Sequence, residues 1–240
     1  MTNLVAFDPK LHSQVRLDLT RIAASCAEVQ LLPVVPTEFA QVATQSPIVL
    51  TKHGHTGQFV FVALFGFCPG ENLFWQQGQF QGLYQPLQLR RQPFFLGYEG
   101  EHPLLCLDLN HPALLPNGHQ DGELLVQADG RDGPYLQSVK ACLGELMRGE
   151  QQQQQLMPLL AEFDLIQPLS LEITFANQHS VKLQGLYSID QQKLAALPAQ
   201  ALWRFHQQGA LAAIYTQLAS MAQLYPLIER KNALLRSHSC

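Results

Sequence analysis

Phe59–Phe67 reads FVFVALFGF, and because its apolar residues fall on both parities it predicts a strand covered on both faces. Upstream, His53-Gly54-His55-Thr56-Gly57 reads as a hairpin loop that returns the chain from a strand at Ile48–Thr51 into Gln58–Phe67. Val15–Leu19 (VRLDL) alternates apolar and polar residues, and Val29–Val35 is a branched run interrupted by Pro33 and followed by Pro36. Both predict strands, the second at a sheet edge because proline cannot donate to a ladder. Thr37 is expected to cap a short helix with Phe39, Ala40 and Ala43 on its inner face. Leu104–Leu109 adds another strand, and the short loops throughout this half predict an antiparallel sheet.

Downstream of the central run lies Cys68–Tyr98, CPGENLFWQQGQFQGLYQPLQLRRQPFFLGY, the densest concentration of aromatic, glycine and arginine residues in the chain. Pro69-Gly70 makes a turn, Asn72–Trp75 predicts a short strand, and Gln77-Gly78 predicts a two-residue hairpin loop into a second strand ending near Tyr84. Pro86 suits the first position of a helix over Leu87–Arg91, since its missing N–H would have no partner there. Pro93 ends that helix, and Phe94, Phe95, Leu96 and Tyr98 resume a strand.

The second half changes period. Pro112–Gly133 is rich in Asn, Gly, Asp and Pro and predicts a long connection or flap. Pro134 then opens a helix in which Leu136, Val139, Leu143, Leu146 and Met147 recur at steps of three and four, forming one apolar stripe. The Gln151–Gln155 tract reads as a solvated turn of the same helix, with Gly149 and Pro158 as candidate bends. Leu169, Leu171, Ile173 and Phe175 alternate with polar residues as a half-buried strand, and Asn177-Gln178-His179 turns the chain back into Val181–Tyr187. Asp190 caps a short helix, Pro198 opens another, and Gly209 stops it. A last helix presents Leu211, Ile214, Leu218, Met221 and Leu224 on one face until Pro226, and the polar residues after Glu229 are expected to fray. The predicted architecture is a single α+β domain over residues 1–240. It has a β-rich part (1–110), a connection (111–133), a helix–hairpin–helices part (134–229) and a tail (230–240).

Composition narrows the function. A net charge of −4 with 15 Lys and Arg residues along the chain argues against nucleic-acid binding, which needs a basic face. No apolar run reaches the length of a membrane span, and the N-terminal residues lack the pattern of a secretory signal, so a soluble, cytoplasmic protein is expected. The five cysteines show no C-x-x-C pair and read as reduced core residues, apart from Cys240 at the chain end. His53, His55, His102, His111 and His119 read as loop histidines, and neither a metal site nor a cofactor is expected. Nucleophile-elbow, dinucleotide-binding, P-loop and zincin motifs are absent, so no catalytic residue is assigned.

The candidate binding residues are Arg90 and Arg91, beside Trp75, Tyr84 and Tyr98, with Glu71 and Asn72 nearby in sequence. Adjacent helical residues point about 100° apart, so the two arginines are expected to divide their roles. One holds the turn, paired with a carboxylate such as Glu71, while the other is open to a carboxylate or phosphate ligand.

Gly70–Leu96, with its N-L-F segment, tryptophan, Y-x-P and R-R-x-P-F in that order, closely resembles the signature of the SapC-like family of bacterial proteins. VVPTEF (Val34–Phe39), SPIVL (Ser46–Leu50), GLYSIDQQKLAALP (Gly185–Pro198) and GALAAIYTQLASMAQL (Gly209–Leu224) resemble other segments of that family. The resemblance implies a cytosolic accessory role in gene neighbourhoods that also encode tryptophan-halogenase-like proteins, cupin-type proteins and TonB-dependent receptors. The surface-layer association in the family's name is not expected here, because no signal peptide is visible. The leading expectation is a non-enzymatic module that recognises a peptide, protein or small carboxylate partner. The rival is an enzyme with dispersed catalytic residues acting on peptide or amino-acid derivatives, and no oligomeric state is assigned.

Overall fold

The computed structural model describes residues 3–100, 102–115 and 121–237. The strands, in chain order, are β1 (Leu4–Ala6), β2 (Arg16–Leu17), β3 (Leu31–Pro33), β4 (Ile48–Lys52), β5 (Phe59–Leu64), β6 (Trp75–Gln76), β7 (Gln79–Phe80), β8 (Phe94–Glu99), β9 (His102–Asp108), β10 (Glu123–Leu124), β11 (Ile166–Thr174) and β12 (Ser180–Ile189). The helices are α1 (Phe39–Val42), α2 (Leu87–Arg90), α3 (Pro134–Glu162), α4 (Gln191–Ala195), α5 (Ala199–Gln207), α6 (Ala210–Ser220) and α7 (Leu224–Ser237), with 3-10 turns at Leu19–Cys26, Pro36–Glu38 and Met221–Gln223. The fold is α+β, with every strand pairing antiparallel.

The chain divides into two compact units. Unit 1 holds the described parts of Met1–Ala27, Trp75–Gln81 and Gln85–Met147, and unit 2 those of Glu28–Phe74, Gly82–Tyr84 and Arg148–Cys240. Unit 1 contains the sheet β1-β9-β8, the β2–β10 ladder and the β6–β7 hairpin. That hairpin turns at Gln77 (φ 53°) and Gly78 (φ 77°), so both central residues are left-handed as a type I′ turn requires. Its strands are only two residues long: Asn72 lies outside them, and the second strand ends at Phe80 rather than near Tyr84.

Unit 2 is built on a five-stranded sheet in the order β11-β12-β4-β5-β3. β5 lies between β4 and β3, and residues 61–65 are buried on both parities, as the FVFVALFGF pattern predicts. β3 is an edge strand ending in Pro33. The strands come mainly from residues 1–110, as expected, and the C-terminal hairpin joins them by supplying two of the five strands of this sheet, with Tyr187 of β12 opposite Leu50 of β4. An alternating strand such as β11–β12 has one apolar face to bury, and adding it beside β4 extends a core that already exists.

Four helical expectations change. In α1 the buried residues are Phe39 and Val42, Ala40 is exposed, and Val35 with Pro36 occupies the preceding cap position in place of Thr37. On α3 the stripe holds for Leu136, Val139, Leu143 and Leu146, while Met147 is exposed; the helix continues through Gln151–Gln155. Gly149 is required by contact, since a Cβ there would collide with Val35. On α6 the buried face is Ala210, Ile214, Gln217 and Ser220. Two polar residues sit inside because they serve the start of β4: the Ile48 amide donates to Ser220 Oγ (2.9 Å), and Gln217 Nε2 donates to the Ile48 carbonyl (2.8 Å). α7 continues to Ser237 in place of a frayed tail, and buried Asn232 accepts a hydrogen bond from the Ala176 amide (2.9 Å). Cys240 lies outside the described residues.

Candidate functional site

In unit 1, α2 is a single turn entered from Pro86, with Leu87 and Leu89 buried. It packs on the 3-10 helix Leu19–Cys26, as does β7. With Leu87 and Leu89 buried, Arg90 at the last helical position and Arg91 at the C-cap point in different directions. Arg91 is half-buried and held on three sides: Nε donates to Gln88 Oε1 (2.6 Å), Nη1 donates to the Phe94 carbonyl (2.6 Å), and Cζ stands 4.1 Å from the Phe95 ring centroid. This guanidinium ties the turn to the first residues of β8.

Arg90 is exposed, and among the described residues no carboxylate pairs with it. Its backbone is held, because the Tyr135 hydroxyl donates to the Arg90 carbonyl (3.2 Å) and lies against the Gln92 carbonyl as well. Burial, reinforced by Cys142 and Glu123, pushes the Tyr135 phenol well up, so it remains a donor. The Tyr135 amide is tied in turn to Glu123 Oε1 (2.8 Å). The result is an exposed cationic fork on a tethered backbone.

The aromatic candidates are placed differently. Trp75 is half-buried in the β6–β7 hairpin, opposite Phe80. Tyr98 is 63% exposed on β8, opposite Pro103. It lies four residues beyond Phe94, which corresponds to roughly 13 Å along a strand, so it stands apart from the Arg91 end of β8.

The other three candidates lie in unit 2, and their polar atoms have internal partners. Tyr84 donates its hydroxyl to Glu38 Oε2 (3.1 Å), while its amide and carbonyl are clasped by the Gln45 side chain at 3.0 and 2.7 Å. Asn72 is buried and caps its own turn, accepting from the Phe74 amide (2.9 Å). Glu71 accepts from the Phe67 amide (2.7 Å) and forms an ion pair with Lys231. The expected arginine partner for Glu71 is therefore replaced by a lysine on α7. No local sequence signal marks that pair.

His53 and His55 tilt against each other on the exposed β4–β5 loop, their rings 5.8 Å apart. His111 is buried, and its Nδ1 accepts from the Ala113 amide (3.1 Å). His119 and Glu101 lie outside the described residues. Among the described residues no three His, Cys, Asp or Glu side chains cluster as ligands for a metal ion, and no helix is long and apolar enough to cross a membrane. Unit 2 also contains an apolar cleft between the start of β5 and the Met157–Ala161 turn of α3. Sequence reasoning treated Pro158 there only as a bend, although a proline inside a helical run also signals an unpaired carbonyl one turn earlier.

A family model described as SapC matches residues 7–227. No curated protein and no solved structure matches the chain.

Proposed function

The chain belongs to the SapC family, and we propose that it is a cytoplasmic, non-enzymatic binding module whose unit 1 presents Arg90 to a carboxylate on a peptide or protein partner. The contrast between the two arginines supports this reading: Arg91 is held by Gln88, Phe94 and Phe95, whereas Arg90 is exposed without an ion-pair partner among the described residues. A guanidinium offers a planar fork matched to a carboxylate, and the pinned backbone beneath it reduces the ordering cost of binding. Trp75, half-buried on the hairpin, adds aromatic surface of the kind that anchors partners. An accessory role beside a tryptophan-halogenase-like or cupin-type enzyme is consistent with such a module.

The test is an array of short peptides carrying free or amidated carboxylates, probed with the unsubstituted protein and with Arg90→Ala. Carboxylate-dependent binding that weakens about tenfold or more in Arg90→Ala, with an unchanged unfolding midpoint, is expected for a charge-assisted bidentate contact. Equal affinity of folded Arg90→Ala and the unsubstituted protein for every retained peptide would remove Arg90 from the site.

A further inference from the structure

We infer that unit 2 carries a separate, uncharged binding site for a small flat apolar molecule bearing an O–H or N–H donor. The cleft measures about 380 Å³, within the range of small-molecule sites. Phe59 and Val60 form one wall, Met157, Pro158 and Ala161 the other, and Ile166 also lines it. The remaining lining residues are glutamines, so neither a cationic nor an acidic side chain lines the cleft. The cation beside the Phe59 wall, Lys52, is not among the lining residues and stands over the Phe59 and Tyr187 rings, so a charged ligand would lose hydration in the cleft without a lining counter-ion, which favours a neutral occupant.

Two features make this more than an apolar depression. Phe59 is a half-exposed aromatic held in place: its ring meets Tyr187 edge-on with centroids 4.9 Å apart, and Lys52 Nζ stands 5.4 Å from the Phe59 centroid and 5.8 Å from that of Tyr187. A fixed ring offers a stacking face at low ordering cost. The second feature is in the opposite wall. Pro158 lies inside α3 and has no N–H, so the Gln154 carbonyl one turn earlier lacks its helical donor. Gln154 and Pro158 are exposed and both line the cleft, so a backbone acceptor released from the helical ladder sits at its rim beside the apolar wall. A flat ring against Phe59 and Met157 with one donor toward Gln154 would satisfy both. The site is in unit 2 and does not involve Arg90, so it stands or falls independently of the carboxylate reading.

The chain contains four methionines, Met1, Met147, Met157 and Met221, and among the described residues Met157 alone of these lines this cleft. Methyl-13C-methionine protein is therefore titrated with phenol, anisole and benzoate as probes. Phenol at millimolar concentration should shift the Met157 methyl selectively. Anisole, which lacks the donor, should bind about 2- to 10-fold more weakly, the ratio that one net hydrogen bond provides. Benzoate should leave Met157 unmoved. Pro158→Ala restores the helical N–H, so it should bring phenol and anisole to equal affinity. Ala161→Trp should fill the cleft and abolish both responses while the other methionine signals persist. Absence of a Met157 response to phenol, equal phenol and anisole affinities in the unsubstituted chain, or a phenol preference surviving in Pro158→Ala would each overturn the proposal.

Discussion

Lys231 forms an ion pair with Glu71, joining residues 160 apart in the chain, and the two side chains are only 20% and 18% exposed. The same lysine stands 5.9 Å from the Phe175 ring centroid, and Arg230 lies over Phe74 at 4.6 Å. These contacts explain why α7 is ordered past Glu229 despite its polar sequence: its charged heads are used against unit 2, and their aliphatic stems cover aromatic rings.

Lys231→Ala leaves a mostly buried Glu71 carboxylate without its counter-ion, and should lower stability by about 1–2 kcal/mol. Adding Glu71→Gln keeps an acceptor for the Phe67 amide while removing the uncompensated charge. Urea unfolding should show part of the loss recovered in the double variant; equal midpoints for Lys231→Ala and the unsubstituted protein would mean that solvent screens the pair completely.

The two arginines should separate in stability measurements. Arg91→Ala removes two hydrogen bonds and a ring contact and should cost about 1–3 kcal/mol. Arg90→Ala should stay within about 0.5 kcal/mol, as expected of an exposed substitution. Arg91→Lys should not restore the loss, because an ammonium cannot reach Gln88 and the Phe94 carbonyl with one planar fork. Denaturant midpoints of the three variants test this, and a larger cost at Arg90 than at Arg91 would reverse the assigned roles.

Phe175 is 2% exposed, with its ring 5.3 Å from Phe67, which places the alternating face of β11 toward the core. Truncation to alanine opens a cavity that flanking backbone cannot close, so Phe175→Ala should cost about 3–5 kcal/mol. Calorimetry would show the face to be less tightly packed if the loss were below about 1 kcal/mol.

His111 should contribute a pH dependence. Burial lowers its pKa from the ordinary 6.5, opposed by Asp108, and Nδ1 must stay unprotonated to accept from Ala113. The unfolded chain therefore binds a proton at a higher pH than the folded one does. This contribution is complete above about pH 6.5 and is lost as the pH falls toward the lower folded value. His111→Asn, which keeps an acceptor in a similar place, should show a shallower fall in melting temperature between pH 7.5 and pH 5.5, both values chosen to bracket about 6.5. Parallel curves would assign the acid sensitivity to other groups.

Much of this architecture is written in short-range sequence. The Gln77-Gly78 loop, the alternation of β11, the Asp190 cap and the helical period carried through Gln151–Gln155 each depend on residues a few positions apart, where backbone sterics and side-chain spacing act without a distant partner. The divided roles of Arg90 and Arg91 also follow from helical geometry, but which of them turns inward does not: that was decided by Gln88 and by the Phe94 and Phe95 strand lying beneath Arg91. Tertiary structure alone placed β12 beside β4, gave Glu71 to Lys231, and buried Gln217 and Ser220 against Ile48 where the apolar pattern of α6 pointed elsewhere. The reason is common to all three. A buried backbone amide, carbonyl or carboxylate takes whichever partner the folded chain brings within hydrogen-bond reach, and that choice leaves no periodic trace in the sequence.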